Sequence, residues 1–143
     1  MAVISGHGAT LGFGTYTTFS PKYTTIGGFE ATRESLVTSD LSTTGAHTKI
    51  GGDLFDVGPF SSTFLFEPEL SDDTGSNNLD GLLFATGEIK ADQVVTITYP
   101  DTGAATVAGT AHVTGVGLED LSTDTLCAAN ITVQFNDWPT FTP

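Results

Sequence analysis

The strongest pattern in this chain is an alternation of apolar and polar residues that predicts β-strands. Phe60, Phe64 and Phe66 share one face of the segment 60–67. The segment 126–135 alternates in the same way, and its apolar face carries Cys127, Ala129, Ile131, Val133 and Phe135. Because successive side chains of a strand point to opposite sides of a sheet, a period of two residues indicates strands with one buried face.

Further segments extend this prediction to most of the chain. Residues 29–37 alternate as a strand, with Glu30, Thr32 and Glu34 on the polar side. Residues 94–99 and 104–116 are predicted to form a hairpin through the turn Pro-Asp-Thr-Gly at 100–103. Proline presets φ in such a turn, and the glycine is expected to accept a positive φ.

One short helix is expected near residues 79–86, because asparagines precede it as N-caps and a glycine follows it as a stop. The predicted fold class is therefore mainly β, a β-sandwich or partial barrel with one short α-helix and a long loop between two strands. The predicted core contains Phe29, Phe64, Phe66, Leu83, Ile97, Ile131, Val133 and Phe135.

The long loop, residues 38–58, is the least ordinary feature of this pattern. Hairpin loops usually have two to five residues, and a long one inside a compact domain is usually functional or disordered. This segment shows no sustained period but carries Leu41, His47, Ile50, Leu54 and Phe55. We therefore expect a β domain that places an arm on a neighbouring molecule. Residues 1–25, rich in Gly and Thr, are expected to be a flexible N-terminal segment.

Composition and charge narrow the possible functions. The chain has 143 residues, which predicts a single domain, and its 25 Thr and 17 Gly residues favour strands and turns. It has 17 acidic residues and only four Lys and Arg, for a formal charge of −13. Too few cations are present to neutralise phosphates, so nucleic-acid recognition and binding to an anionic membrane are not expected.

No residue pattern predicts catalysis, a metal or a cofactor. His7, His47 and His112 are widely spaced, whereas metal ligands usually lie close together in sequence. Paired carboxylates such as Glu67 and Glu69 are expected to be solvated. The single Cys127 is expected to be a small buried hydrophobic residue. The N-terminus lacks a secretory signal, so folding in a cytoplasm is expected.

The order of these segments resembles that of the tail tube (major tail) proteins of long-tailed bacteriophages. The resemblance covers roughly residues 26–143. The residues that carry it are Arg33-Glu34, the glycine-containing loop 45–58, Phe-Leu-Phe-Glu-Pro at 64–68, LDGLLFATGE, ITYPDTG and the closing NDWPTFTP. Such proteins form hexameric rings that stack into a tube for genome delivery, and their long loop and termini reach between rings.

The resemblance implies a structural virion protein of the tail, assembled in the host cytoplasm, and no enzymatic activity. The implied partners are further copies of the chain, the tape measure protein, the tail terminator and the distal tail protein, with DNA only as transiting cargo. It also implies a lumen lined by Glu30, Thr32 and Glu34, with Thr63 and Glu67 as weaker candidates. The inter-subunit loop would act through Leu41, His47, Ile50, Leu54 and Phe55.

Other classes remain open at this stage. A tail terminator, or the tube of a contractile or secretion system, would share the same fold. A β-sandwich carbohydrate-binding module would suit the Thr-rich strands, but the aromatic platforms expected of one are not evident, since Trp138 and the tyrosines are scattered. A small hydrolase is a further alternative, but the sequence contains no recognisable catalytic site.

Overall fold

The computed structural model describes residues 5–17, 19–67 and 89–143 of the chain. In this part of the chain every regular element is a strand. The strands are β1 (Thr10–Phe13), β2 (Lys22–Ile26), β3 (Ala31–Val37), β4 (Lys49–Val57), β5 (Phe60–Leu65), β6 (Gln93–Thr98), β7 (Thr106–Leu118), β8 (Ala128–Phe135) and β9 (Thr140–Thr142).

Seven of these strands form one antiparallel sheet. Its order is β1-β6-β7-β8-β5-β2, and β9 pairs with β7 outside this path. The edge strands β1 and β2 approach each other without sharing a hydrogen-bonded ladder. The sheet is therefore curled into an incomplete barrel, and β3 and β4 form a separate two-stranded sheet.

The core follows the alternation that the sequence predicts. Strands β5, β6 and β8 each bury every second residue, beginning with Phe60 in β5, Gln93 in β6 and Ala129 in β8. Of the predicted core residues that the structure describes, Phe64, Ile97, Ile131, Val133 and Phe135 are buried. Phe29 and Phe66 are partly buried against that core.

The N-terminal segment, expected to be flexible, contributes strands and core side chains. Leu11 and Phe13 of β1 are buried, and so are Tyr16 and Phe19 in the connection to β2. The ring of Phe19 stacks on Tyr16 at 5.1 Å and meets Phe64 edge to face at 5.3 Å. The amide oxygen of Gln93 accepts hydrogen bonds from the N–H groups of Thr15 and Tyr16. Aromatic packing and the Gln93 amide attach this segment to the barrel. The Gly- and Thr-rich composition of the segment does not predict this packing.

The structure corrects three further expectations. Residues 49–57 of the predicted loop form β4, so the connection between β3 and β4 is only residues 38–48. In the hairpin turn after β6, the positive φ belongs to Ala104 (53°) rather than Gly103, because the Asp101 carboxylate and carbonyl accept the N–H groups of Ala105 and Ala104. Cys127 is exposed, since β8 begins one residue after it.

The predicted helix at 79–86, together with the predicted core residue Leu83, lies outside the described residues. The β6–β7 hairpin itself is confirmed, with Thr98 opposite Thr106 in the register.

We expect Gly27 to be required where β2 leaves its partner β5. Its N–H donates to the Ser61 carbonyl at 2.8 Å, and a Cβ at this position would clash with that same oxygen. Gly27→Ala should therefore lower the free energy of unfolding by about 2 kcal/mol, the usual cost of overpacking. Urea denaturation measures this loss. Gly28 is the matched control, because a Cβ there meets nothing within 4 Å. Equal stabilities of Gly27→Ala and Gly28→Ala would contradict the prediction.

Candidate functional site

The candidate site is the hairpin of β3 and β4, residues 31–57, which we call the arm. All seven residues of β3 are exposed, and β4 is exposed except for Gly52 and the buried Val57 at its end. The two strands are joined to each other by six register pairs, from Ala31–Val57 to Val37–Lys49. A strand pair whose side chains stay largely exposed on both faces within its own subunit is a candidate for burial against another molecule.

The arm tip, residues 38–48, is held by local hydrogen bonds. Thr38 N–H donates to the Thr48 carbonyl at 2.9 Å, and Thr48 N–H donates to the Ser39 hydroxyl at 2.7 Å. The Ser42 hydroxyl donates to the Asp40 carboxylate at 2.6 Å, and this bond lowers the pKa of Asp40 below its ordinary value. These bonds leave Leu41 fully exposed at the tip, with a relative exposure of 108%.

One face of the arm packs on the body of the subunit through aromatic contacts. The Phe55 ring meets the Trp138 ring at 5.6 Å and an interplanar angle of 69°. The Arg33 guanidinium lies over Phe55 at 5.3 Å from the ring centroid, a cation–π geometry, and occupies space above Gly51 that a side chain there would fill. The Gln134 amide also joins the body to the arm, since it donates to the Val57 carbonyl at 2.6 Å. Both Phe55 and Trp138 remain more than half exposed.

The opposite face of the arm is acidic near its root. Thr32 pairs with Asp56 in the register, so their side chains share a face, and Glu30 and Glu34 are exposed on either side of Thr32 in sequence. Farther along, Leu36 and Ile50 form an exposed cross-strand pair. The structure thus brings the predicted residues Glu30, Thr32 and Glu34 onto one strand region and adds Asp56 beside them.

The other two predicted lumen residues lie elsewhere. Thr63 is half-buried on β5 in the large sheet, and Glu67 follows the end of that strand. The Glu67 carboxylate is 2.9 Å from the Lys22 ammonium in a largely exposed ion pair. Such pairs contribute little to stability. Whether Thr63 and Glu67 share a surface with the acidic face of the arm remains a prediction.

The predicted loop residues divide between the two ends of the arm. Leu41 and His47 lie in the tip, Ile50 lies near the start of β4, and Leu54 and Phe55 lie near the root. Leu54 is 85% exposed, whereas Phe55 contacts the body. No sequence pattern predicts the contact of Phe55 with Trp138, because Trp138 lies far away in the sequence and outside any alternating segment.

An apolar cleft of about 170 Å³ opens at the root of the arm, and we call it the root cleft. Its walls include Phe29 and Ala31 before and within β3, Val57 at the end of β4, and Trp138 and Phe141 near the C-terminus. A second crevice of about 360 Å³ shares Val57 and Trp138 with the root cleft, and Asp53 and Asp137 are among the residues that line it. The root cleft is therefore an apolar hollow with acidic residues in the crevice beside it.

A larger crevice of about 470 Å³ lies at the open seam of the barrel, between the N-terminal turn and β2. The Tyr23 hydroxyl is buried near this seam and has no hydrogen-bond partner in the described part of the chain. Burial raises the pKa of Tyr23 well above its usual value of 10.0.

Among residues 5–17, 19–67 and 89–143, no group of three or more His, Cys, Asp or Glu side chains is arranged to hold a metal ion. His7 and His47 are exposed, and His112 contacts the Asn136 amide oxygen. No helix in this same part of the chain is long and apolar enough to cross a membrane.

Solved structures share this fold over nearly the whole chain. A chain in the extended-state sheath/tube terminator of an extracellular contractile injection system superposes with a TM-score of 0.72 and 11% identity, covering 100% of this chain and 99% of that one. A chain in the six-fold symmetrised baseplate of the anti-feeding prophage gives 0.71 and 11%, covering 99% and 97%. A chain in the native gene transfer agent virion gives 0.67 and 14%, covering 99% and 100%.

At these identities the comparisons show the fold, which is that of chains in tail-like particles. No protein-family model matches the chain, and no curated protein matches it. The predicted mainly β, tail-tube-like architecture is confirmed at this level.

We expect the edge-to-face contact of Phe55 with Trp138 to hold the arm against the body. Phe55→Ala should speed hydrogen exchange of the amides in residues 49–57 and shift the fluorescence of Trp138, the single tryptophan, to longer wavelength. An aromatic pair contributes about 1 kcal/mol beyond burial. The matched control is Leu54→Ala, at the preceding residue, whose side chain is 85% exposed. The same exchange rates in both variants would show that the contact of Phe55 with Trp138 does not hold the arm.

Proposed function

We propose that the protein is a structural, ring-forming subunit of a tail-like particle, located in its tube or at the terminator of that tube. The observation that carries this proposal is the fold shared over 99% or more of both chains with components of a contractile injection system and a gene transfer agent. An exposed arm supports it, and so do two sheet edges that pair with no strand of the described residues, because ring assembly buries such surfaces.

Two positions in the particle remain candidates. In the first, copies form hexameric rings that stack into the tube of a long-tailed phage, as the sequence resemblance implies. In the second, the chain belongs to a tail terminator or to the tube of a contractile system. The comparisons favour the second candidate, since the chains that superpose with TM-scores of 0.71 and 0.72 come from contractile-type assemblies. The six-fold symmetry of the baseplate supports a hexamer in either case.

The charge of the chain suits a conduit. With 17 acidic residues against four basic ones, an inner wall built from it would repel a DNA backbone rather than hold it. In this proposal Glu30, Thr32 and Glu34 line the lumen, joined by Asp56 from the same face of the arm. The partners are further copies of the chain and the other tail proteins: tape measure, terminator and distal tail protein. DNA is transiting cargo, and no enzymatic step is assigned.

We expect purified protein, concentrated stepwise, to form rings or tubes that are visible by negative-stain electron microscopy. Stacked tubes would support the tube position, and single rings that do not stack would support the terminator position. Light scattering after size exclusion measures the number of subunits in one ring. A chain that stays monomeric at every concentration, including in the presence of purified tail tubes, would contradict the proposed function.

The acidic wall has a separate test. Glu30→Lys with Glu34→Lys should leave the subunit folded, since both side chains are exposed, but should slow DNA ejection from particles that carry the variant. The slowing should be greatest at low salt, where phosphate contacts are strongest. The matched control is Asp120→Lys with Asp124→Lys, which makes the same charge change in the exposed loop 119–127. Equal ejection rates for the two double variants would place Glu30 and Glu34 outside the channel.

A further inference from the structure

We propose that the root cleft of one subunit receives the arm tip of a second copy, with Leu41 as the inserted side chain. The proposal rests on the proposed function, since it describes how subunits of an assembly join. It identifies the acceptor surface for the arm, which neither the alternation in the sequence nor the shared fold indicates. Three features of the described residues lead to it.

The first feature is a matched pair of apolar surfaces. Leu41 is fully exposed at the tip, and the root cleft offers about 170 Å³ between apolar walls that include Phe29, Trp138 and Phe141. Trp138 and Phe141 are 56% and 61% exposed, so both rings expose apolar surface to water in the isolated subunit. Inserting one aliphatic side chain between these rings removes apolar area from water on both partners.

The second feature is the distance along the arm, which excludes insertion within one subunit. The cleft begins at the Ala31–Val57 pair, and the tip begins beyond the Val37–Lys49 pair, six residues farther along β3. At about 3.3 Å per residue this separation is about 20 Å. A paired hairpin of that length holds its own tip away from its own root. A tip and a cleft at opposite ends of one paired hairpin can meet only when they belong to different copies, which makes the contact heterologous.

The third feature is charge. Asp53 and Asp137 line the crevice that shares Trp138 with the root cleft, together with Phe55, over which Arg33 lies. Lys49, one of the four cations of the chain, is exposed where β4 leaves the tip. Acidic residues beside the cleft of one copy therefore meet a cation beside the tip of the other, which orients the approach of the second copy.

The internal hydrogen bonds of the tip favour such a contact as well. Since Thr38, Ser39 and Thr48 already bond to one another, the tip is ordered before it binds, and less conformational entropy is lost on association.

Cross-linking of assembled protein tests the pairing directly. The exposed Cys127 is first replaced by Ser, and a double variant then carries Leu41→Cys and Ala31→Cys, the second of these in the cleft wall. A short bis-maleimide should produce a ladder of covalent dimers, trimers and higher species, because each copy offers one tip and one cleft. The matched control carries Leu121→Cys with Ala31→Cys, since Leu121 is 81% exposed in another loop.

The outcomes separate this proposal from the function on which it rests. Rings or tubes by microscopy together with a ladder much stronger than that of the control support both. Rings or tubes with a ladder no stronger than the control overturn the tip-in-cleft contact and leave the proposed function standing, with some other surface or partner covering the cleft. Absence of any assembly in the parent protein overturns both.

Fluorescence of Trp138 gives a second readout that needs no cysteine. Because Trp138 forms part of the cleft wall and is the single tryptophan, its emission should shift to shorter wavelength on assembly. Leu41→Ser should lose this shift, and Leu121→Ser should keep it. The same shift in both variants would show that Leu41 does not enter the cleft.

Discussion

The architecture depends on the backbone pairing of one long strand, β7. Its first half, Thr106–Ala111, pairs with β6 on one edge, and its second half, Ala111–Leu118, pairs with β8 on the other. The register shifts between Val113 and Gly115, which lets a 13-residue strand follow the curvature of the barrel. The free edge beside its first half is taken up by β9. Pairing along its whole length therefore joins the two sides of the barrel.

The arm is positioned by the same strand. The segment between β8 and β9 crosses β7 closely at Gly109, where a Cβ would lie 3.1 Å from the Phe135 ring and 3.2 Å from Pro139. This crossing presents Trp138 to the Phe55 ring at the root of the arm. The half-buried Gly109 thus helps to determine where the exposed Trp138 lies, and Trp138 contacts Phe55, the single Phe, Tyr or Trp residue of the arm.

The sequence patterns predict those strands that have one buried face and one more exposed face. The Phe stripe of β5 and the alternation of β8 were recognised because one face of each is buried. The sequence predicts a loop where β4 lies, because β4 is largely exposed on both faces and contains Gly51 and Gly52, so burial imposes no period on it. The candidate site was predicted as a set of apolar residues on an arm. The contact of Phe55 with Trp138 joins two residues that are far apart in the sequence, so no local pattern predicts it.

The arm tip and the root cleft also give any assembly built by their contact a direction. A subunit that inserts its tip into one neighbour and receives the tip of another leaves two unlike surfaces at the limits of a stack. One limit exposes empty apolar clefts, and the other exposes unbound Leu41 side chains. Subunits would then add to the two ends of the stack at different rates. The protein that begins such a structure and the protein that closes it must accordingly carry different complementary surfaces.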